Sequence, residues 1–187
     1  MAGKSSVPRL RSVGIFWDIE NLPVKRDANI RGMVDLIRAK FVHSPFFLEK
    51  MFVVVGNVRI IPPEVSAGFC AVNVELCHVE QDKKNAADMK ISSKIGEFAN
   101  SVEDVATRPR VVLLTSDIHF KEALYDLQKR RGYETFLIHR NVRHELLDFA
   151  DQNFIFEEFF RDFLQPTRKR SDLPEAVVAS NGHIHYK

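Results

Sequence analysis

The chain has 187 residues, of which 45% are hydrophobic and 28% are charged, and its formal net charge is +2. This composition is typical of one globular domain with a sizeable core, and it excludes a membrane-spanning helix because no run of about 18 apolar residues occurs. The first residues lack the apolar core of a secretory signal, so we expect an intracellular protein. Cys70 and Cys77 are too few for the disulfide framework of a secreted domain, and we expect both to be core thiols.

Basic residues are concentrated at the two ends of the chain. Residues 1–12 and 167–187 each carry net positive charge, so the body between them is slightly acidic. The overall charge therefore does not indicate nucleic-acid binding, which only local basic clusters can indicate. We expect residues 1–12 and 167–187 to be flexible segments on either side of one domain at 13–166.

Segments typical of strands and of helices alternate along the chain. The predicted strands cover residues 13–17, 51–55, 72–77, 110–115, 134–138 and a short last one at 154–156. The predicted helices cover residues 28–42, a short segment that opens at 62, then 84–102, 118–131, 142–150 and 157–164. This alternation predicts an α/β fold with a mainly parallel sheet between two layers of helices.

Phenylalanines form a stripe near the end of the predicted domain, at Phe154, Phe156, Phe159, Phe160 and Phe163. Such a stripe can be a stacking platform for nucleic-acid bases, but aromatic stripes more often pack inward. We therefore expect a terminal element that closes the core.

Two acids directly follow predicted strands. Asp18 follows the first strand, and Asp117 follows the sequence VVLLTS of the fourth. The carboxyl ends of parallel strands share one edge of a sheet, where ligands bind. The two carboxylates are therefore expected to lie near each other.

A third acid lies on the apolar face of a predicted helix. Ile91, Ile95, Phe98 and Val102 form a stripe with helical spacing, and one further step back reaches Asp88 in the first turn. A carboxylate on a buried face needs a cation, a hydrogen bond or a metal to offset its desolvation.

Each acid also has a simpler interpretation. Asp117 can cap the helix that follows it, Asn85 can cap the helix that carries Asp88, and Glu20 can be a solvated turn residue. Three acids at one edge of a sheet are not what capping predicts, however. Clustered carboxylates with an amide nearby suit Mg²⁺ or Mn²⁺, and such ions promote phosphodiester hydrolysis.

Three sequence blocks now make a specific resemblance visible. GIFWDIEN, KNAADMK and LLTSDIHF occur in this order and resemble the signature blocks of the NYN domain family, the PIN-like ribonucleases. The similarity covers about residues 12–165 and includes RHELLDFADQNFIFEEFF near the end.

The resemblance implies a three-layer PIN-like fold and metal-dependent endonuclease activity on RNA. It matches the family's catalytic, metal-binding acids to Asp18, Asp88 and Asp117. It also matches the amide of the first block to Asn21, and the hydroxyl positions beside the last acid to Thr115 and Ser116.

One position departs from the family pattern. The nearest relatives have a further acid where the second strand ends, whereas this chain has Gly56 and Asn57 there. An amide oxygen can bind a metal or hold a water, but it supplies no negative charge. We therefore expect weaker metal binding and turnover unless Glu20 compensates.

Basic residues are the candidates for contact with RNA phosphates. Lys84 and Arg140 fall near the predicted carboxyl edge of the sheet. Lys83 directly precedes Lys84, and Arg143 follows Arg140 closely in the sequence. No aromatic RNA-recognition motif or zinc-finger spacing occurs, so we expect single-stranded RNA to be recognised by shape.

The leading hypothesis is a divalent-metal-dependent endoribonuclease in RNA turnover or silencing. The alternative is a nuclease-like module that lost an acid and binds RNA or a protein partner without cutting. A phosphoacceptor domain is a weaker third hypothesis, because it needs a lysine after the fifth strand, where Arg140 lies. We expect a cytoplasmic location, including RNA granules, with the nucleus as an alternative, and protein partners from an RNA-regulatory complex.

Overall fold

The computed structural model describes residues 10–43, 45–80 and 85–164. The strands are β1 (Arg11–Asp18), β2 (Phe47–Gly56), β3 (Glu75–His78), β4 (Arg110–Leu114), β5 (Glu134–His139) and β6 (Gln152–Ile155). The α-helices are α1 (Ile30–Phe41), α2 (Pro63–Cys70), α3 (Ala86–Ser101), α4 (Lys121–Tyr125), α5 (His144–Leu147) and α6 (Phe156–Phe159). Within these ranges, no helix combines the length and the apolar character needed to cross a bilayer.

All six strands form one sheet in the order β3-β2-β1-β4-β5-β6, and every neighbouring pair is parallel. One face is covered by α1, α2 and α6, and the other by α3, α4 and α5. The predicted α/β class and three-layer arrangement are therefore confirmed. β1 and β4 are the two central strands, which places their carboxyl ends in the middle of the edge.

The side chains of β1 alternate between the two cores because successive residues of a strand point to opposite faces. Ile15 and Trp17 enter the core under α1, whereas Phe16 enters the core under α3. The Trp17 ring stacks on Phe160 at 5.7 Å, and its Nε1 donates a hydrogen bond to the carbonyl oxygen of Leu22. These contacts fix the strand that ends at the predicted site.

The phenylalanine stripe closes the core, as expected. Phe156 and Phe160 are fully buried, while Phe154, Phe159 and Phe163 pack against the same core and are partly buried. The stripe therefore mainly makes contacts within the fold, although Phe154 and Phe159 also line a surface cavity.

Two expectations, one about the start of the first strand and one about the burial of a cysteine, are corrected. β1 begins at Arg11, so residues 11 and 12 belong to the sheet rather than to a flexible segment. Arg11 forms an ion pair with Glu134 at 2.8 Å, which holds the start of the strand. Cys77 is buried as expected, but Cys70 is exposed at the end of α2. Residues 1–9 and 165–187, which include the predicted tail, lie outside the described residues.

The predicted helix at 118–131 is divided into three segments. A 3₁₀ turn at Ile118–Phe120 leads into α4, and a wider π-type segment at Asp126–Arg130 follows. Gly132 has a φ of 70°, a left-handed conformation that glycine adopts without strain, and it ends the helical region. The predicted helix at 142–150 is limited to the four residues of α5.

Replacing Asn29 by alanine is expected to cost about 1 kcal/mol of stability. Asn29 caps α1, because its side-chain oxygen accepts a hydrogen bond from the Gly32 backbone N–H at 3.0 Å. The expected fall in Tm is about 2–4 °C in thermal unfolding. The exposed Asn100, near the end of α3, is the matched control for an Asn→Ala change. An unchanged Tm for Asn29→Ala would contradict this capping role.

Candidate metal centre

Carboxylates gather at the carboxyl edge of the sheet, where β1 and β4 end side by side. They line a cavity of about 260 Å³, into which the first turn of α3 also projects. The carboxylates that line it are Asp18, Glu20, Glu80, Asp88 and Asp117. The three acids predicted from the sequence therefore lie around one cavity although they are distant in the chain.

Asp18 is the most buried of these acids, with 2% of its surface exposed. Its carboxylate accepts hydrogen bonds from the Asn21 backbone N–H at 3.1 Å and from the Thr115 hydroxyl at 3.3 Å. The pKa of Asp18 is raised from 3.8 to about 6, mainly by burial; the charges of Asp88 and Glu20 contribute to the rise, and the hydrogen bonds from Asn21 and Thr115 oppose it. Asp18 is thus held where its negative charge is unfavourable unless a cation is present.

Asp88 and Asp117 face each other across the cavity together with His119. Their carboxylate oxygens and the His119 Nδ1 all lie within 4.8 Å of one another. Burial raises the pKa of Asp88, and the charge of Asp117 adds to this effect. Asp18 lines the same cavity but lies outside this group of three.

Asp117 also performs the capping role of its simpler interpretation. Its Oδ1 accepts a hydrogen bond from the His119 backbone N–H at 2.9 Å and so caps the 3₁₀ turn. Asn85 occupies the N-cap position of α3 in a left-handed conformation, and its side chain makes no capping hydrogen bond. The capping interpretation therefore holds for Asp117 alone, and it does not account for the position of Asp88.

Hydroxyl and amide groups connect the loops around the acids. The Thr115 hydroxyl accepts from the Asp117 backbone N–H at 3.1 Å while it donates to Asp18. The Asn21 side-chain oxygen accepts from the Ser116 backbone N–H at 2.7 Å, which ties the loop after β1 to the loop after β4. Asn21, Thr115 and Ser116 therefore position the acids, because each bonds to a neighbouring loop.

Asn57 lies next to the acidic cavity, at the end of β2. It lines a neighbouring cavity of about 240 Å³, and Glu20 lines both cavities. The Asn57 backbone N–H donates to the Glu20 carboxylate at 2.7 Å, and its side-chain oxygen accepts from the Arg59 backbone N–H at 3.0 Å. Glu20 therefore brings a carboxylate to the end of β2, the position where the sequence resemblance led us to expect an acid in place of Asn57.

The candidate RNA-contacting cations differ in their surroundings. Arg140 forms an ion pair with Glu157, and its guanidinium lies 4.7 Å from the centre of the Phe156 ring. Its position near the carboxyl edge is as predicted, but contact with a phosphate requires release from Glu157. Arg143 is exposed at the start of α5. Lys83 and Lys84 lie outside the described residues.

The donor atoms of the site fit a small divalent cation. Carboxylate oxygens are the ligands that Mg²⁺ and Mn²⁺ prefer, and Asp88 and Asp117 provide them within reach of each other. Asp18 and Glu20 add negative charge in the same cavity. A divalent cation would offset the repulsion that raises the pKa values of Asp18 and Asp88.

The sequence interpretation missed Glu80 and His119. Glu80 lies just beyond the end of β3, so the rule that identified Asp18 would also have identified it. His119 lies in the third signature block, two residues after Asp117. This short distance in the sequence was the signal that could have identified it as a residue of the site.

Comparison with known proteins adds an independent line of support. The NYN domain family model matches residues 12–158. The meiosis regulator and mRNA stability factor 1 of Mus musculus is 35% identical over 167 residues, which is 89% of this chain and 9% of that protein. The Bos taurus protein of the same name is 35% identical over 154 residues, or 82% of this chain and 9% of its own length. This chain thus spans about 9% of the length of these curated relatives.

A solved structure shares the fold. The crystal structure of a protein of unknown function from Vibrio parahaemolyticus superposes with a TM-score of 0.59 at 15% identity. The match covers 86% of this chain and 99% of the other, so it supports the architecture alone. The family model spans most of the described domain, including β1 to β6 and the acidic cavity. The chain belongs to the NYN domain family, a family of nucleases.

Proposed function

We propose that this domain is a divalent-metal-dependent endoribonuclease that cuts single-stranded RNA. Membership of a nuclease family and the relatives' role in mRNA stability, which their name states, support an RNA-related function. We further propose that it acts in cytoplasmic RNA turnover or silencing, including RNA granules, together with protein partners of an RNA-regulatory complex.

The observation that carries the proposal is the set of carboxylates around one cavity. Placing Asp18, Asp88 and Asp117 together costs the fold stability, because their charges repel one another and burial disfavours the ionised forms of Asp18 and Asp88. The raised pKa of Asp18, to about 6, is a direct sign of this cost. Groups held in such an unfavourable arrangement are typical of functional sites.

The residues of the cavity have separable roles in the proposed reaction. Asp88 and Asp117 would hold the cation, and Asp18 and Glu20 would complete the negative field around it. When bound, Mg²⁺ or Mn²⁺ would lower the pKa of a water ligand and stabilise the negative charge on the leaving oxygen. Thr115 holds Asp18 and Asp117 at a fixed distance from each other, since its hydroxyl forms a hydrogen bond with each residue.

The entry of RNA is proposed along the exposed carboxyl edge. Arg143 is exposed at this end of the fold. In the sequence, Lys83 and Lys84 come shortly before α3, which begins at Ala86 and carries Asp88. We propose that these three cations contact phosphates, with Arg140 joining them after release from Glu157.

A cleavage assay tests the function directly. A single-stranded RNA labelled at its 5′ end should yield internal cleavage products with Mn²⁺ or Mg²⁺ and remain intact with EDTA. The corresponding duplex RNA is the matched control for single-strand preference. Intact RNA at saturating metal, with a protein that shows a cooperative melting curve, would overturn the proposal.

The alternative function is a binding module that does not cut, and Asn57 is the observation that favours it. We expect Asn57→Asp to leave the cleavage rate within about threefold of wild type, the size of a screened charge effect. The aspartate oxygen retains the hydrogen bond from Arg59, and Glu20 already brings a carboxylate to this position.

The exposed Asn100→Asp variant controls for the added charge. An inert wild type together with a cleaving Asn57→Asp variant would favour the binding module over the enzyme. Single-turnover cleavage with all three proteins distinguishes the two functions.

A further inference from the structure

His119 lies beside two of the acids of the cavity, Asp88 and Asp117, with its side chain 62% exposed. Its Nδ1 is 3.0 Å from Asp117 Oδ1 and 3.7 Å from Asp88 Oδ2. One ring nitrogen is therefore directed at both carboxylates that are proposed to hold the metal.

The backbone of His119 is anchored next to the two carboxylates. The His119 N–H donates to Asp117 Oδ1, so the residue is anchored at the proposed ligand itself. The next residue, Phe120, is buried in the core beneath α3 and α4. The backbone therefore keeps the imidazole within reach of both carboxylates.

We propose that His119 Nδ1 binds the same divalent cation as Asp88 and Asp117, and that it biases the site towards Mn²⁺ over Mg²⁺. This inference rests on the metal centre of the proposed function. Mg²⁺ binds oxygen ligands almost exclusively, whereas Mn²⁺, although it also prefers oxygen, is a first-row transition ion and accepts an imidazole nitrogen more readily than Mg²⁺ does. One nitrogen beside two carboxylates therefore favours Mn²⁺.

Mn²⁺ bound to the full chain at one equivalent provides the test, because pulsed EPR detects a directly bound ¹⁴N nucleus. We expect this nitrogen coupling in wild type and in His43→Ala, and its loss in His119→Ala. His43 is the matched control because it is an exposed histidine beyond the end of α1.

Calorimetric titration then tests the selectivity. We expect His119→Ala to weaken Mn²⁺ binding by roughly tenfold or more, since loss of even an outer-shell partner has effects of this size. Mg²⁺ binding should change by less than about threefold, because oxygen ligands dominate it. The ratio of Mn²⁺ to Mg²⁺ affinity should therefore fall in His119→Ala and stay unchanged in His43→Ala.

Asp88→Asn separates failure of this inference from failure of the proposed function. If Asp88→Asn abolishes Mn²⁺ binding but wild type shows no nitrogen coupling, His119 is not a ligand and the metal centre stands. Nitrogen coupling that persists in His119→Ala also overturns the inference. If Mn²⁺ does not bind, or binds equally to Asp88→Asn, both the inference and the proposed metal centre are wrong.

Discussion

Asp117→Asn is expected to lower the rate of RNA cleavage by roughly a hundredfold or more, because it removes a charged metal ligand from the proposed centre. The fold should tolerate the change. The asparagine side-chain oxygen can accept the same capping hydrogen bond from His119, and the backbone N–H still donates to Thr115. Single-turnover cleavage of a labelled RNA at saturating Mn²⁺ measures the effect.

Asp35→Asn is the matched control, since Asp35 is an exposed acid on α1, against the face of the sheet opposite to α3. It should cleave at the wild-type rate. Melting curves of wild type and both variants should agree closely. If Asp117→Asn cleaves RNA at the wild-type rate, Asp117 is not part of the site. If the Tm of Asp117→Asn falls strongly, its loss of activity is explained by unfolding instead.

Asp18→Asn is expected to stabilise the metal-free protein at pH 7 by up to roughly 3 kcal/mol, the free energy that corresponds to its pKa shift. Burial raises the pKa of Asp18 from 3.8 to about 6, so the native state binds this proton more tightly than the unfolded chain does. The contribution of the protonated carboxyl is fully present below about pH 4 and is lost as the pH rises through about 6.

The difference in stability between Asp18→Asn and wild type should therefore be small near pH 4 and reach its maximum above pH 6. Urea unfolding in EDTA across this range measures it, with Asp35→Asn as the control for loss of a surface carboxylate. A difference that does not change between pH 4 and pH 7 would contradict the proposed cost of ionising Asp18. Asp18 accepts hydrogen bonds from the Asn21 backbone and the Thr115 hydroxyl. The stabilisation of Asp18→Asn is smaller to the extent that the asparagine side chain makes weaker hydrogen bonds to these donors.

The results expected for these two variants are those of a site whose charges lower the stability of the metal-free protein but are needed for metal binding and RNA cleavage. Asp18 weakens the metal-free fold, and the same charge strengthens the attraction of the cavity for a cation. Stabilising the protein through Asp18→Asn should therefore weaken Mn²⁺ binding. This opposition between stability and activity is common where charged groups are held together for chemistry.

The central part of the site was predictable because it follows from short-range periodicity and one rule of topology. Strand and helix patterns placed Asp18 and Asp117 after parallel strands and Asp88 on an apolar helix face. The carboxyl ends of the parallel strands β1 and β4 then had to meet at one edge. The hydrophobic alternation fixed these positions without any knowledge of side-chain contacts.

The remaining features depend on contacts that periodicity does not encode. The pairing of Arg140 with Glu157 arises because the end of β5 and α6 are brought together in the fold. The separation of Asn57 from the acidic cavity depends on the path of the Glu20 loop over the end of β2. The direction of the His119 ring depends on the 3₁₀ turn, which the sequence pattern predicted only as part of a longer helix.

The most direct test of the metal centre is an anomalous difference map from a crystal of this chain soaked in Mn²⁺. The proposed function predicts a peak in the acidic cavity, within bonding distance of carboxylate oxygens of Asp88 and Asp117. The peak should be absent from an Asp117→Asn crystal treated in the same way. A cavity without anomalous density at saturating Mn²⁺, or density found only elsewhere on the protein, would contradict the proposal.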